Sequence, residues 1–316
     1  MRDKRGRDIT YMRISITDRC TLRCRYCMPE EGVEYFPHEE ILTFEEILRV
    51  AQAAVRIGIH TFRLTGGEPL ARRGLGQLIQ MLRREAGVER LLMTTNGVGL
   101  SQEAHPELLD GVNLSLDTLN REKYAYITRR DALPKALEGL KLAMALAGEV
   151  KINCVALEEF NREEIPAFAA LAREKGLAVR FIEAMPLGPG RSWRPILGRD
   201  VLAEVERAFP GLRRLEYHSD GPAEYYGWED SRGKIGVIHP MSRKFCGGCN
   251  RVRLTARGRL QLCLAEETGL DLRAMLRRGA SAEELSQAMA RAIEEKPARH
   301  HLETQGKGDG LSRIGG

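Results

Sequence analysis

Tyr11-Met-Arg-Ile-Ser-Ile-Thr-Asp-Arg-Cys20-Thr-Leu-Arg-Cys24-Arg-Tyr-Cys27 joins a short β-branched run to three closely spaced cysteines. The run over 11–16 reads as a strand, which puts the thiols just beyond its carboxyl end. One loop can wrap three thiolates around a metal centre, but the stretch supplies no fourth ligand. A structural zinc site is closed by a fourth Cys or His, whereas a cubane cluster on three thiolates leaves one iron open. His38 and His60 remain available to a zinc.

Outward from this stretch the same grammar repeats. Further β-branched runs fall at 61–65, 90–94, 112–116, 151–156 and 178–182, with amphipathic sequence between most of them. One helix is expected to start at Thr43, with Glu46 completing a capping box and Phe44, Ile47, Leu48, Ala51 and Val55 forming an apolar face; it stops at Gly58. Asn161 and Glu164 stand in the same relation before a helix that stops at Gly176, and Pro134 suits a first helical turn. Short βα connections demand parallel strands with right-handed crossovers, and six units are too few to close a complete barrel. The expected fold class is therefore α/β, an incomplete (β/α)6 TIM-type barrel.

In such folds chemistry gathers where strands end. Gly66-Gly67-Glu68-Pro69 follows the second run, Thr94-Thr-Asn-Gly97 closes the third, Ser115 and Asp117 close the fourth, and the sixth runs into Glu183 and Met185. Paired glycines allow close approach of backbone to a ligand, and Glu68 offers a carboxylate to a cationic amine. Past about 215 the alternation fades, so residues 1–215 are expected to form the barrel core and 216–316 a smaller C-terminal region. The glycine-rich end, Gly306 to Gly316, reads by composition as flexible.

Bulk properties narrow the class. A chain of 316 residues with 43% hydrophobic and 29% charged residues is long enough for a sizeable core. No apolar run suggests a membrane span, and the basic start lacks the apolar stretch of a secretory signal, so the expected location is the cytoplasm. A net charge of +5 fits a small anionic ligand as well as nucleic acid. Charges are spread along the chain and aromatic residues are only 6%, which argues against a zinc-stabilised nucleic-acid binder. Seven cysteines, six of them in two groups, read as metal sites in a reducing compartment.

The second group, Cys246-Gly-Gly-Cys249 followed by Cys263, again supplies three thiols. Spacing alone leaves zinc a serious rival here, with His239 as a fourth ligand. Arg251 and Arg253, alternate residues of an extended segment, would present two cations to one side, suited to a phosphorylated ligand.

The CxxxCxxC spacing, with Tyr26 before the last cysteine, resembles the signature of radical S-adenosylmethionine enzymes. Within that superfamily the chain is similar over essentially its whole length to the GTP 3′,8-cyclases of molybdenum cofactor biosynthesis. The similarity runs through Arg13 to Asp18, Phe62 to Pro69, Thr94 to Gly97, Arg180 to Glu183, Ser219-Asp-Gly221, Phe245-Cys246 and Gly315-Gly316, with no departure at a motif position. The resemblance implies two [4Fe–4S] clusters, one on Cys20, Cys24 and Cys27 and one on Cys246, Cys249 and Cys263. It implies S-adenosylmethionine at the open iron of the first, with contacts from Tyr26, Gly67, Ser115 and Met185. GTP is implied at the second, held by Arg13, Arg63, Thr94, Lys151, Arg251 and Arg253. Hydrogen abstraction from C3′ by a 5′-deoxyadenosyl radical and attack on C8 of guanine would then give 3′,8-cyclo-7,8-dihydro-GTP. No general acid or base is assigned. An electron donor and a homodimer are the expected partners, and the Gly315-Gly316 end would reach the active site. Cys154 matches no cluster position and reads as a buried structural cysteine. A peptide-modifying radical enzyme with an auxiliary cluster is the closest rival, although such enzymes usually carry more C-terminal cysteines.

Overall fold

The computed structural model describes residues 1–217, 221–266 and 269–302. Ser219 and Asp220 of the motif quoted above, and the terminal Gly315-Gly316, lie outside the described residues.

Six strands form at the expected runs: β1 (Tyr11–Ser15), β2 (Thr61–Thr65), β3 (Arg90–Thr95), β4 (Gly111–Ser115), β5 (Glu149–Ala156) and β6 (Ala178–Glu183). They lie side by side in sequence order and all parallel. The connecting helices are α1 (Phe44–Arg56), α2 (Leu75–Glu85), α3 (Arg121–Thr128), α4 (Leu133–Leu146), α5 (Ile165–Lys175) and α6 (Gly198–Ala208). The later chain adds β7 (Arg213–Arg214), β8 (Glu224–Gly227), β9 (Lys234–Ile238), β10 (Arg251–Leu254), β11 (Arg259–Gln261), β12 (Leu270–Asp271), α7 (Leu272–Arg277) and α8 (Ala282–Glu294).

The strands after residue 215 continue the barrel sheet. β10 pairs in parallel with the free side of β1, and β9 pairs in parallel with β6. Antiparallel β11 and β12 extend one end and β8 and β7 the other, leaving an open sheet. The alternation of a strand assigns its two faces. Along β1, Met12 and Ile14 are fully buried in an apolar cluster shared with Ile47 of α1, Leu78 of α2 and Met289 of α8. Tyr11 and Arg13 instead line a cavity in the concave interior. A second cluster on the outer side joins Ile152 and Val179 to Phe168 of α5 and Val201 of α6.

The Thr43 capping box is present: the Thr43 hydroxyl accepts from the Glu46 amide at 3.2 Å, and Glu46 accepts from the Thr43 amide at 2.8 Å. Phe44 and Val55 are only half-buried, while Val50, Ala53 and Ala54 join the buried face. Asn161 does not cap α5. Its Oδ1 accepts from the Leu157 amide, and its amide group donates to the Asp117 and Val155 carbonyls. Glu164 accepts from Thr118 and from the Leu119 amide. Both side chains are drawn off by polar groups at the ends of β4 and β5, which a capping pattern cannot anticipate.

Candidate active site

The loop after β1 is held by its backbone. The amides of Arg23 and Arg25 donate to the carbonyls of Thr128 and Ile127, at 2.9 and 2.8 Å, and those of Cys27 and Met28 donate to Cys24 at 2.9 and 3.0 Å. Leu22 and Met28 are buried as anchors. The three thiols are thereby turned into one cavity at the carboxyl ends of the strands, which Tyr26, Gly67, Ser115 and Met185 also line. Cys154 does not line that cavity and is buried beside Asn161.

Burial pushes the Cys20 thiol up to about 11, with Glu68 adding to the effect. Burial also drives Cys24 well above the ordinary thiol value, and Cys27, Asp117 and Cys20 add repulsion. Three such thiols cannot ionise together unless a cationic centre sits among them. The donor set, all sulfur with three members, fits an iron–sulfur cluster with one open iron. Tyr26 donates to Asp117 Oδ2 at 2.6 Å, and Asp117 Oδ1 accepts from the Val155 amide at 2.8 Å, so the tyrosine of the signature is fixed to the end of β5.

The Gly66-Gly67 turn presses against the same loop. A Cβ on Gly67 would lie 2.3 Å from the Arg19 carbonyl oxygen and 2.8 Å from that of Asp18. Gly67→Ala is therefore expected to displace the cysteine loop, lower the thermal midpoint and weaken S-adenosylmethionine binding at least tenfold. Calorimetry on the reconstituted variant checks both effects. Glu68 lines the same cavity, and its carboxylate is also engaged by the protein. Its Oε1 accepts from the Thr95 hydroxyl at 2.6 Å and the Leu70 amide at 3.1 Å, and its Oε2 from the Asn96 amide at 2.7 Å. It pins the glycine turn to the end of β3.

A second cavity adjoins the first, and Asn153, Ile182 and Met185 line both. Its floor is a row in register: Arg253 on β10 opposes Arg13 on β1, which opposes Arg63 on β2. Arg251 stands on the same face as Arg253, as alternation requires. Six arginines and Lys151 line this cavity against one carboxylate, Glu149. Burial holds the Arg13 guanidinium well below its ordinary pKa, and Arg253, Arg63 and Arg251 add to this by repulsion. Burial likewise brings Arg253 down to about 10. Against the effect of burial, Arg63, Arg13 and Arg251 hold the Tyr11 phenol below its usual value. So strong a positive field inside a barrel fits a polyanion.

The Lys151 Nζ lies 2.6 Å from Glu149 Oε2. Thr94 lines the cysteine cavity and accepts from Arg63 Nη1 at 3.3 Å, at the boundary between the two spaces. Arg180 and Asn153, bonded at 2.9 Å, also line the arginine cavity, and neither was given a ligand role above. The alternation on β5 and β6 points both residues inward, and that signal was present in the sequence.

The second cysteine group borders this cavity through Phe245, Arg251, Arg253 and Leu264, which line it. Cys246 opens a single 3-10 turn, and Cys263 lies two residues past β11. His239 faces Glu183, 3.4 Å from its Oε1. Glu183 accepts from the Ser242 amide at 3.0 Å and so ties the segment leading to Cys246 to the end of β6. Burial opposes ionisation of Cys249, but Lys296, Arg251 and Arg7 hold its thiol below the ordinary value.

Residues 14–172 match the family model of the Radical SAM superfamily, and residues 177–302 that of Molybdenum Cofactor Synthesis C. A GTP 3′,8-cyclase of Syntrophomonas wolfei is 45% identical over 309 residues, covering 96% of this chain and 95% of the relative. One of Moorella thermoacetica is 43% identical over the full length of both. Among solved structures, Streptococcus suis SuiB bound to its precursor peptide SuiA aligns with a TM-score of 0.60 at 14% identity, over 92% of this chain and 66% of that one. SuiB bound to S-adenosylmethionine aligns at 0.58, and at such low identity these likenesses show the shared fold alone. The descent of the full chain from a common stock with the two cyclases is plain, and it belongs to the GTP 3′,8-cyclase family of the radical SAM superfamily.

Proposed function

We propose that this protein converts GTP to 3′,8-cyclo-7,8-dihydro-GTP for molybdenum cofactor synthesis, with S-adenosylmethionine as co-substrate and two [4Fe–4S] clusters. The observation that carries the reading is the pair of adjoining cavities in one barrel, one lined by three thiols and the other by a registered arginine row. Cys20, Cys24 and Cys27 would hold the first cluster, and Cys246, Cys249 and Cys263 the second. Bound, the first cluster supplies one-electron cleavage of S-adenosylmethionine and the second an open iron for the purine.

The chain's own part is placement. Gly67 gives backbone room for S-adenosylmethionine, Tyr26 is held in place by Asp117, and Ser115 and Met185 complete that wall. Arg13, Arg63, Arg251 and Arg253 face the triphosphate, which carries about four negative charges that bidentate guanidinium contacts fix in position. Lys151 and Thr94 stand at the rim of that field. Asn153, Ile182 and Met185 lie where the two ligands meet, so orientation of the ribose toward the reacting carbon is their task. Residues 1–215 supply the first site, and 216–316 supply the second cysteine group and the strands β9 and β10 that extend the sheet on either side.

No helix among the described residues is long and apolar enough to cross a membrane. A cytoplasmic setting suits six clustered thiols, with an external reductant and a homodimer as the expected company.

Anaerobic reconstitution tests the reading. With GTP, S-adenosylmethionine and dithionite, the chain should hold about eight irons and form 5′-deoxyadenosine only when GTP is present. Tightly bound zinc at either cysteine group, or 5′-deoxyadenosine without loss of GTP, would overturn it.

A further inference from the structure

Two buried cations close around the second cysteine group, and the proposed function uses neither. Lys296, just past α8, is only 3% exposed. Its ammonium donates to the Arg251 carbonyl at 2.8 Å and to the Leu262 carbonyl. Arg251 lies two residues after Cys249, and Leu262 directly precedes Cys263. Arg7 is 7% exposed. Its Nη1 donates to the Cys246 carbonyl at 3.0 Å, and its Nη2 to the carbonyls of Lys296 and Pro297 at 3.0 and 2.9 Å.

Backbone beside all three cysteines is thus gripped by cations from opposite ends of the chain. Arg7 has a carboxylate partner, Asp3, at 2.6 Å. Among the described residues no carboxylate pairs with Lys296. The first cysteine group has the contrary setting, since two buried carboxylates, Glu68 and Asp117, bear on Cys20 and Cys24. A buried lysine without a carboxylate is costly to keep, and a cluster held by Cys246, Cys249 and Cys263 would supply the missing negative charge.

Resting on the two-cluster reading, we propose that Lys296, braced by Arg7, is a positioning residue of the second cluster. Its fixed charge holds that cluster at a higher reduction potential than the same three thiolates would give without it. Reduction adds a negative charge to the cluster, so a nearby fixed cation favours the reduced form, and hydrogen bonding and net charge are the protein's means of setting such potentials.

The test is an EPR-monitored dithionite titration of the reconstituted enzyme, comparing the unsubstituted chain with Lys296→Gln and Lys296→Arg. Gln keeps donors for the Arg251 and Leu262 carbonyls but removes the charge, and Arg restores it. Lys296→Gln should lower the reduction equilibrium constant of the second cluster at least tenfold, about 59 mV for a one-electron couple. The first cluster should stay where it was, and Lys296→Arg should recover most of the shift. An unmoved second midpoint in Lys296→Gln with both clusters present overturns the assignment, as does an equal shift in both clusters. Should Lys296→Gln fail to fold, Arg7→Gln carries the same comparison, and a second-cluster midpoint equal to that of the unsubstituted enzyme overturns the assignment. Failure of the underlying reading is distinguishable, because it appears in the unsubstituted chain as zinc or as a single cluster.

Discussion

Replacing Arg13 with methionine is expected to weaken GTP binding by about 10- to 150-fold and, at the same time, to raise the thermal midpoint of the ligand-free enzyme. The loss follows from one charge-assisted contact, worth about 1.5–3 kcal/mol. The gain follows from the register that places Arg13 between Arg253 and Arg63. A base whose folded pKa is depressed costs stability while it stays charged, and Arg13 is depressed by burial and then by like charge on adjacent strands. An apolar residue of similar length removes that cost, on the order of 1–4 kcal/mol where buried charge is replaced by packing. Lys151→Met should behave in the opposite sense without ligand, since it strips the partner from Glu149. Isothermal titration with GTP and a melting curve of each apo variant make the comparison. A lower apo midpoint for Arg13→Met would show that the arginine row stabilises the fold instead of straining it.

Cys24→Ala should abolish 5′-deoxyadenosine formation outright and cut iron from about eight to about four per chain, while GTP affinity stays within about twofold. The separation follows because the backbone of the loop is held by bonds of its own. Its backbone bonds run to Thr128 and Ile127, the Cys24 carbonyl accepts from the Cys27 and Met28 amides, and Arg129 clamps the Arg23 and Met28 carbonyls from α3's far end. Burial and repulsion already keep the Cys24 thiol neutral when no cluster is bound, so the apo midpoint should change little. Iron analysis, product chromatography and GTP titration on one preparation settle it. Residual 5′-deoxyadenosine above background would mean that the first cluster does not rest on Cys24.

Much of this was legible along the chain because parallel strands buried on one face and lined on the other leave a double imprint. The outward residues of β1, Met12 and Ile14, announce the strand, while the inward Arg13 was tied to a ligand only by family resemblance. Strand ends were equally readable, since Gly66-Gly67 and the cysteines cluster where ligands must be. What escaped prediction was pairing between distant segments. β9 and β10 are short, and nothing in their composition says that they seat against β6 and β1 instead of forming a sheet of their own. Lys296 sits in charged helical sequence that reads as solvated until the fold brings Cys249 and Cys263 to it. Asn161 and Glu164 look like a helix start, and tertiary polar groups claim both.

The seat of β10 beside β1 also governs how the sheet is assembled. β1 and the partner for its outer edge, Arg251–Leu254, lie far apart along the chain and meet only when the later strand folds back. Until then that edge offers unpaired amides and carbonyls, a template for association with other chains. Contacts of such long sequence separation also form slowly. Cys246 and Cys249 directly precede β10 and Cys263 follows β11, so seating β10 on β1 and setting the second cysteine group in place are coupled steps.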